Sequence, residues 1–243
     1  MQISDLSTFE QHFQELLKAL PPSDPVSAQI EVDLQPLFFR MTLDSASELL
    51  LGSDMSFHSQ SDPPGSISLQ FMDAFDYAQM KVHRRNILER GWTKPIGLLY
   101  QISKCGRKDR FERACDTMHS IIDDMIRAFL TKLEKTESST HSQEGDGEGD
   151  DGKYVFLHEM AKTTSDPLEL RHEILNVLVA GRDTTASLLS NVFFILARRP
   201  DLWASVRAEV VETFNGRLPD YETLRSMRQV RNLMNECKYI ILV

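Results

Sequence analysis

The chain has 243 residues, 41% hydrophobic and 26% charged, with 11 Gly and 10 Pro; this composition fits a globular protein with a sizeable core and excludes collagen-like and wholly disordered chains. Its 27 Lys and Arg stand against 36 Asp and Glu, a net charge of −9 with a pI near 5.3, which argues against a nucleic-acid-binding module with a basic face. Three cysteines, Cys105, Cys115 and Cys237, show no C-x-x-C spacing and are too few for a disulfide scaffold, so a reducing compartment fits best.

Asp5, Glu10, His12, Glu15 and Lys18 fall within the first twenty residues and leave no apolar run for a signal peptide. Leu6, Phe9, Phe13, Leu16, Leu17 and Leu20 recur at three- and four-residue steps, predicting an amphipathic helix that packs through that face and stops at Pro21 and Pro22. A second helix is predicted over 37–51, ending at Gly52, followed by a loop over 53–66 that holds Asp62, Pro63, Pro64 and Gly65. Further helical patterns run over 69–88, before Gly91 and Pro95, and over 111–133.

Over 137–152 the composition changes abruptly. Acidic residues alternate with Gly145, Gly147, Gly149 and Gly152 and no apolar residue occurs, so the segment cannot bury enough to offset its ordering entropy and reads as a flexible loop. It lacks the ligand order of an EF-hand. With few strand signals anywhere, the fold class is mainly α.

Asp166, Pro167 and Glu169 form a helix start, and the helical pattern continues to Arg199, a predicted helix over 167–199 about 50 Å long. Its middle is apolar nearly all round, which predicts a course through a domain interior. Arg182 and Asp183 interrupt the run, and a charge at a bilayer centre costs about 2.5–3.5 kcal/mol, so it is not a membrane span. At its centre stand Ala180, Gly181, Arg182, Asp183, Thr184 and Thr185. Gly costs about 1 kcal/mol relative to Ala inside a helix, and a charged pair in an apolar span needs partners. Such local conflict marks either a functional site or a close helix contact with its charges satisfied across the interface.

This motif, preceded by 174–179 and followed by Leu196, Ala197, Arg198, Arg199 and Pro200, resembles the central long helix of the cytochrome P450 haem-thiolate monooxygenases. Leu202, Trp203, Val206, Arg207, Glu209, Val210, Leu224 and Met227 fall where that family has its next helices. The stretch 154–159 and Asp166, Pro167, Leu170 and Arg171 resemble the fungal subgroup that hydroxylates alkanes and fatty acids near the chain end. The resemblance covers effectively the whole chain. It implies a single partial domain over 1–243, the central helical part of that fold, truncated at both ends.

The resemblance also implies an activity: insertion of one oxygen atom from O2 into an apolar substrate such as a long-chain alkane or fatty acid. Haem iron would be the cofactor, and NADPH would supply electrons through a flavoprotein reductase. Ala180 and Gly181 would form the groove facing oxygen and haem, where the helix hydrogen bonds are locally disturbed. Asp183 and Thr184 would be the catalytic pair, the acid relaying protons and the alcohol placing them on bound dioxygen. The bland alternative for Thr184 is a hydroxyl bonded back to a preceding carbonyl. An intact parent would sit at the endoplasmic reticulum membrane.

Against the same family pattern, no aromatic-glycine-basic-Cys ligand loop occurs. Cys105, Cys115 and Cys237 lack the surroundings of a thiolate ligand and read as plain thiols, so no metal ligand is expected in this chain. The family's anchor, its β-rich part and its propionate-binding Trp and Arg should precede Met1, so this chain would be cytoplasmic and inactive by itself. Arg231 to Glu236 resembles the start of the helix bearing Glu-x-x-Arg, with Glu236 as the core-supporting acid. The Arg position is Tyr239, and 237–243 reads as a non-family tail whose apolar run is a poor continuation of a polar-faced helix.

Two other function classes have some support in the residues. His158 and Glu159 suggest a zinc peptidase, but the second His of that motif would fall at Lys162. A non-catalytic helical interaction protein, binding partners through uncovered Leu and Phe faces, is the alternative outside the enzymes.

Cys237, Lys238 and Tyr239 can be encoded by TGT-AAG-TAT, which contains the splice-donor sequence GTAAGTAT. Transcript sequencing is expected to find an intron starting inside the Cys237 codon, its removal restoring Arg three residues after Glu236. A mature message ending after Val243 without a further exon contradicts this.

Overall fold

The computed structural model describes residues 6–21, 31–52, 56–89, 109–140 and 155–241, and among them every regular element is a helix. In chain order these are α1 (Ser7–Ala19), α2 (Leu34–Leu51), α3 (Ile67–Glu89), α4 (Arg110–Thr140), α5 (Phe156–Ala161), α6 (Pro167–Arg198), α7 (Pro200–Phe214), α8 (Tyr221–Ser226) and α9 (Arg228–Ile241). The chain divides into two compact units, one made of Met1–Ser61, Asp150–His158 and Ile174–Val243, the other of Asp62–Gly149 and Glu159–Glu173.

Within the first unit, α2 is the helix buried on nearly every side. It starts at Asp33, whose carboxylate accepts from the Gln35 N–H at 3.1 Å, and ends at Gly52, whose φ of 84° suits glycine. A Cβ on Gly52 would stand 3.3 Å from the Val155 side chain. Along α2, Phe38, Leu43, Leu50 and Leu51 are buried, and so are Thr42, Asp44, Ser45, Ser47 and Glu48. Leu16 of α1, Phe38 of α2 and Ala186 of α6 form one apolar cluster, flanked by Leu34, Leu37, Phe39, Met41 and Leu189. Each large side chain of this kind contributes about 1.5–3 kcal/mol when fully buried.

The buried face of α1 differs from the predicted one. Thr8, His12 and Leu16 are buried, whereas Phe9, Phe13 and Leu17 are 41–47% exposed. The reason lies in α2: the Glu48 carboxylate accepts from the Thr8 hydroxyl at 3.3 Å and meets His12 Nε2 at 2.8 Å. A buried carboxylate without partners costs several kcal/mol, so its demand for hydrogen bonds sets which stripe of α1 docks. One turn earlier, Asp44 accepts from the Ser59 N–H and hydroxyl at 2.8 and 2.7 Å and from the Gln60 N–H at 3.2 Å. Burial pushes the Asp44 carboxyl above its ordinary value, with these hydrogen bonds opposing it.

The second unit rests on α3 against α4. Phe71, Ala74, Phe75 and Ala78 form the buried face of α3, and Ala114, Met118, Ile122, Ile126 and Phe129 that of α4, both at the three- and four-residue steps read from the sequence. Arg171 closes an ion pair with Asp123 of α4 at 2.6 Å. Helix α4 runs through Thr140, four residues into the segment read as loop from 137; Glu134 and Lys135, good helix formers, carry it on. The remainder of that segment, 141–152, lies outside the described residues.

Two further boundaries depart from expectation. Helix α6 ends at Arg198 because Pro200 drives Arg199 out of helical geometry, to φ −125° and ψ 79°. Helix α9 continues through Ile241, past Glu236 and into the apolar run expected to break it. Continuing the backbone hydrogen-bond ladder outweighs the weak strand preference of Tyr239, Ile240 and Ile241.

The start of α9 is capped from α7. The Glu209 carboxylate accepts from the N–H groups of Arg228, Gln229 and Val230 at 2.8–3.1 Å, which are the donors a helix N-terminus leaves unpaired. These bonds, the Gln229 N–H first, hold the Glu209 carboxyl below its ordinary value. A depressed carboxyl stabilises above its unfolded pKa, about 4.3, and that contribution is lost as pH falls through the folded value. Glu209→Ala is therefore expected to lower hydrogen-exchange protection of the 228–230 amides at pH 7 and to abolish its acid dependence; unchanged protection refutes the cap.

Candidate functional site

Helix α6 carries the motif, and its start is well fixed. Asp166 accepts from the Leu168 N–H at 3.0 Å. The Thr164 hydroxyl accepts from the Asp166 N–H at 3.2 Å and donates to Glu169 at 2.7 Å, so Thr164 ties the two acids of the helix start together. Buried residues then recur every fourth position: Leu170, Ile174, Leu178, Arg182 and Ala186. The helix is thus buried along one stripe rather than all round, with Val177, Val179, Phe193 and Phe194 exposed among the described residues.

Arg182 lies in the middle of that stripe with 1% of its side chain exposed. Its guanidinium stands 4.9 Å from the centroid of the Phe39 ring on α2, a stacking that the planar, weakly hydrated group supports. From there Nη1 donates to Asp183 Oδ1 at 3.1 Å. Neighbours in sequence on a helix point about 100° apart; the long Arg arm spans the difference, so a half-exposed acid is held by a buried base.

Ala180 and Thr184 lie one turn apart on the opposite, exposed side of α6. The Thr184 hydroxyl donates to the Ala180 carbonyl at 2.6 Å, the back-bonded geometry open to a helical Thr. The helix runs unbroken through both residues, and the Ala180 carbonyl, with two lone pairs, has room for the Thr184 hydroxyl beside a backbone N–H. At Gly181 a Cβ would meet the Ala46 Cβ at 3.8 Å, an ordinary contact. Close packing against α2 therefore does not require glycine there.

The remaining predicted residues stay apart from this face. Glu236 is exposed on α9, and among the described helices α9 packs against α7. Cys115 is half-buried and Cys237 buried. Burial first and neighbouring acids second push both thiols up, the reverse of what a thiolate ligand needs; Cys105 lies outside the described residues. For a haem group the test is split. Val177, Ala180 and Thr184 offer an exposed face of small and apolar side chains on which one side of a flat macrocycle fits, whereas no described residue fits the thiolate role. The peptidase alternative fails on geometry as well, because Lys162 Nζ takes the Glu159 carboxylate at 2.7 Å.

Sequence reasoning missed one polar cluster, that of Thr8, His12, Glu15, Asp44, Glu48 and Ser59. Its signal was available: Thr8 and His12, like Asp44 and Glu48, stand one helical turn apart, which places each pair on one face.

Three adjacent positions of α6 should respond differently to substitution in urea denaturation. Arg182→Ala is expected to cost about 3 kcal/mol through a buried cavity and a lost ion pair, and Asp183→Asn at most about 1 kcal/mol because its carboxylate is partly exposed. Gly181→Ala should gain about 0.5–1 kcal/mol. A destabilised Gly181→Ala would show that packing does demand the glycine.

The family model of the cytochrome P450 proteins matches residues 4–237. Cytochrome P450 monooxygenase himC of Aspergillus japonicus is 33% identical over 235 residues, covering 97% of this chain and 38% of that protein. Cytochrome P450 52A1 of Candida tropicalis is 33% identical over 252 residues, covering 97% and 41%, and cytochrome P450 52A5 of Candida maltosa 34% identical over 250 residues, covering 97% and 42%. The chain thus spans about two-fifths of the length of the curated relatives it matches. Among solved structures, the heme domain of cytochrome P450DA superposes with a TM-score of 0.66 at 19% identity, over 95% of this chain and 44% of that one, a likeness in fold. With its helical order, its α6 motif and this match over nearly its whole length, the chain belongs to the cytochrome P450 family.

Proposed function

We propose that the chain carries the oxygen- and substrate-facing helix of a monooxygenase that inserts one oxygen atom from O2 into a long-chain alkane or fatty acid. The observation that carries this reading is the pairing on α6 of an exposed small-residue face, Ala180 and Thr184, with an acid, Asp183, fixed at its flank by Arg182. The substrate class rests on the resemblance of 154–159 and 166–171 to fungal alkane and fatty-acid hydroxylases.

Haem, when bound, supplies the iron that activates dioxygen. The protein's share is orientation and protons. Asp183, half-exposed, exchanges protons with solvent; its anchorage to Arg182 holds it beside the exposed face. Thr184 lies next in sequence, and its oxygen retains acceptor capacity while it donates to Ala180. A proton reaching Asp183 passes to the Thr184 hydroxyl once that hydroxyl turns from the Ala180 carbonyl. Val177 and Val179 keep the neighbouring surface apolar, as an alkyl substrate requires. Electrons come from NADPH through a flavoprotein reductase, and the parent works at the endoplasmic reticulum membrane; no described helix of this chain is long and apolar enough to cross a membrane. By itself the 243-residue chain is expected to give no thiolate-type absorption band with reduced haem and carbon monoxide, since no described residue fits the thiolate role; a stoichiometric band refutes this.

In a chain extended to the length of its relatives, Thr184→Ala is expected to retain haem and substrate binding while diverting NADPH consumption into hydrogen peroxide. Asp183→Asn is expected to slow turnover about tenfold or more by withdrawing a proton donor. Product formed per NADPH that stays at the wild-type value in both variants would show the pair to be structural.

A further inference from the structure

The buried cluster between α1 and α2 has an arrangement that hydrogen bonding alone leaves incomplete. His12 is fully buried, and its Nε2 lies 2.8 Å from Glu48 Oε2. A carboxylate only accepts, so Nε2 carries the proton and Nδ1 presents a lone pair. That Nδ1 makes no hydrogen bond and faces Glu15 Oε2 at 3.5 Å, which makes none either. Two acceptors thus point at each other in the interior. The Asp44 carboxylate joins them, with the donor atoms of the three residues all within 4.8 Å of one another.

We propose that His12, Glu15 and Asp44 are the ligands of a divalent first-row metal ion, of the Zn2+ type, bound between α1 and α2. Between His12 and Glu15 the spacing favours an ion over a shared proton. A charge-assisted hydrogen bond would draw Nδ1 and Oε2 to about 2.7–2.9 Å. Two ligands about 2.1 Å from a tetrahedral ion instead stand about 3.4 Å apart, close to the 3.5 Å found. The ligand set, one imidazole and two carboxylates, suits a borderline or hard divalent ion, not a soft one.

The surroundings are those of a metal site. Glu48 on Nε2 fixes the tautomer that turns Nδ1 to the ion, the role a carboxylate plays behind a metal-bound histidine. Asp44 is oriented by the Ser59 N–H and hydroxyl and by the Gln60 N–H. Glu15, 18% exposed, gives the ion its way in from solvent. The site is independent of the haem reading: its ligands come from α1 and α2, none from α6.

Zinc titration of the chelator-treated 243-residue chain, followed by calorimetry and thermal unfolding, tests this. One equivalent should bind and raise Tm. Glu15→Gln, at the exposed edge, should weaken binding at least tenfold with unchanged helical circular dichroism, and Asp44→Asn should do the same. Glu10→Gln, on the same helix and outside the cluster, should bind as wild type. Absence of zinc binding, or equal uptake by Glu15→Gln, which would place the metal on other His or Cys side chains, overturns the proposal.

Discussion

Two carboxylates one turn apart inside α2, Asp44 and Glu48, govern how the first unit is assembled. Each is nearly inaccessible, and a buried charge persists only where partners surround it. Glu48 draws in α1 through Thr8 and His12, while Asp44 fastens the segment after Gly52 through Ser59 and Gln60. Ser47, between them, accepts from the Phe57 N–H at 2.8 Å and so sets the buried Phe57 ring against the same helix. The apolar cluster of Leu16, Phe38 and Ala186 contributes through burial, which is non-directional. Register and rotation come from the acids.

That division explains what could be read from the sequence. Helix positions follow from periodicity and stop signals, and α2 to Gly52, α3, the start of α4 and α6 lie within a few residues of where Gly, Pro and the apolar steps place them. Faces were harder. In α1 the apolar stripe of Phe9, Phe13 and Leu17 is the obvious inside, yet Thr8 and His12 are buried, because the partner helix contributes an acid and not a hydrocarbon. Nothing local to α1 encodes Glu48, 40 residues from Thr8. Helix α6 makes the complementary point: its apolar content is high all round, but only the stripe through Arg182 is buried among the described residues.

The site was legible as a motif and only partly as geometry. Gly181, Asp183 and Thr184 stand out as local misfits in a helix. Periodicity could not show that Arg182 would be the buried member of the charged pair, since a guanidinium in an apolar stripe is expensive without a ring such as Phe39 to lie against. It also could not settle what Thr184 bonds to, because a helical hydroxyl chooses between its own backbone and a ligand on energy differences of about 1 kcal/mol.

Arg182 therefore links the packing of the first unit to the chemistry proposed for α6. Its guanidinium is seated by α2 and its Nη1 holds Asp183, so the acid's position depends on a ring that lies on a different helix. Phe39 packs against the cluster of Leu16, Phe38 and Ala186, and the rotation of α2 is set in turn by Asp44 and Glu48. The chain of dependence runs from two buried acids through an aromatic ring and a buried arginine to the carboxylate beside the exposed face. A firmly seated α2 is then a condition for a fixed Asp183, and polar residues in the interior of α2 are tolerated because they supply orientation that an apolar helix of the same volume would not.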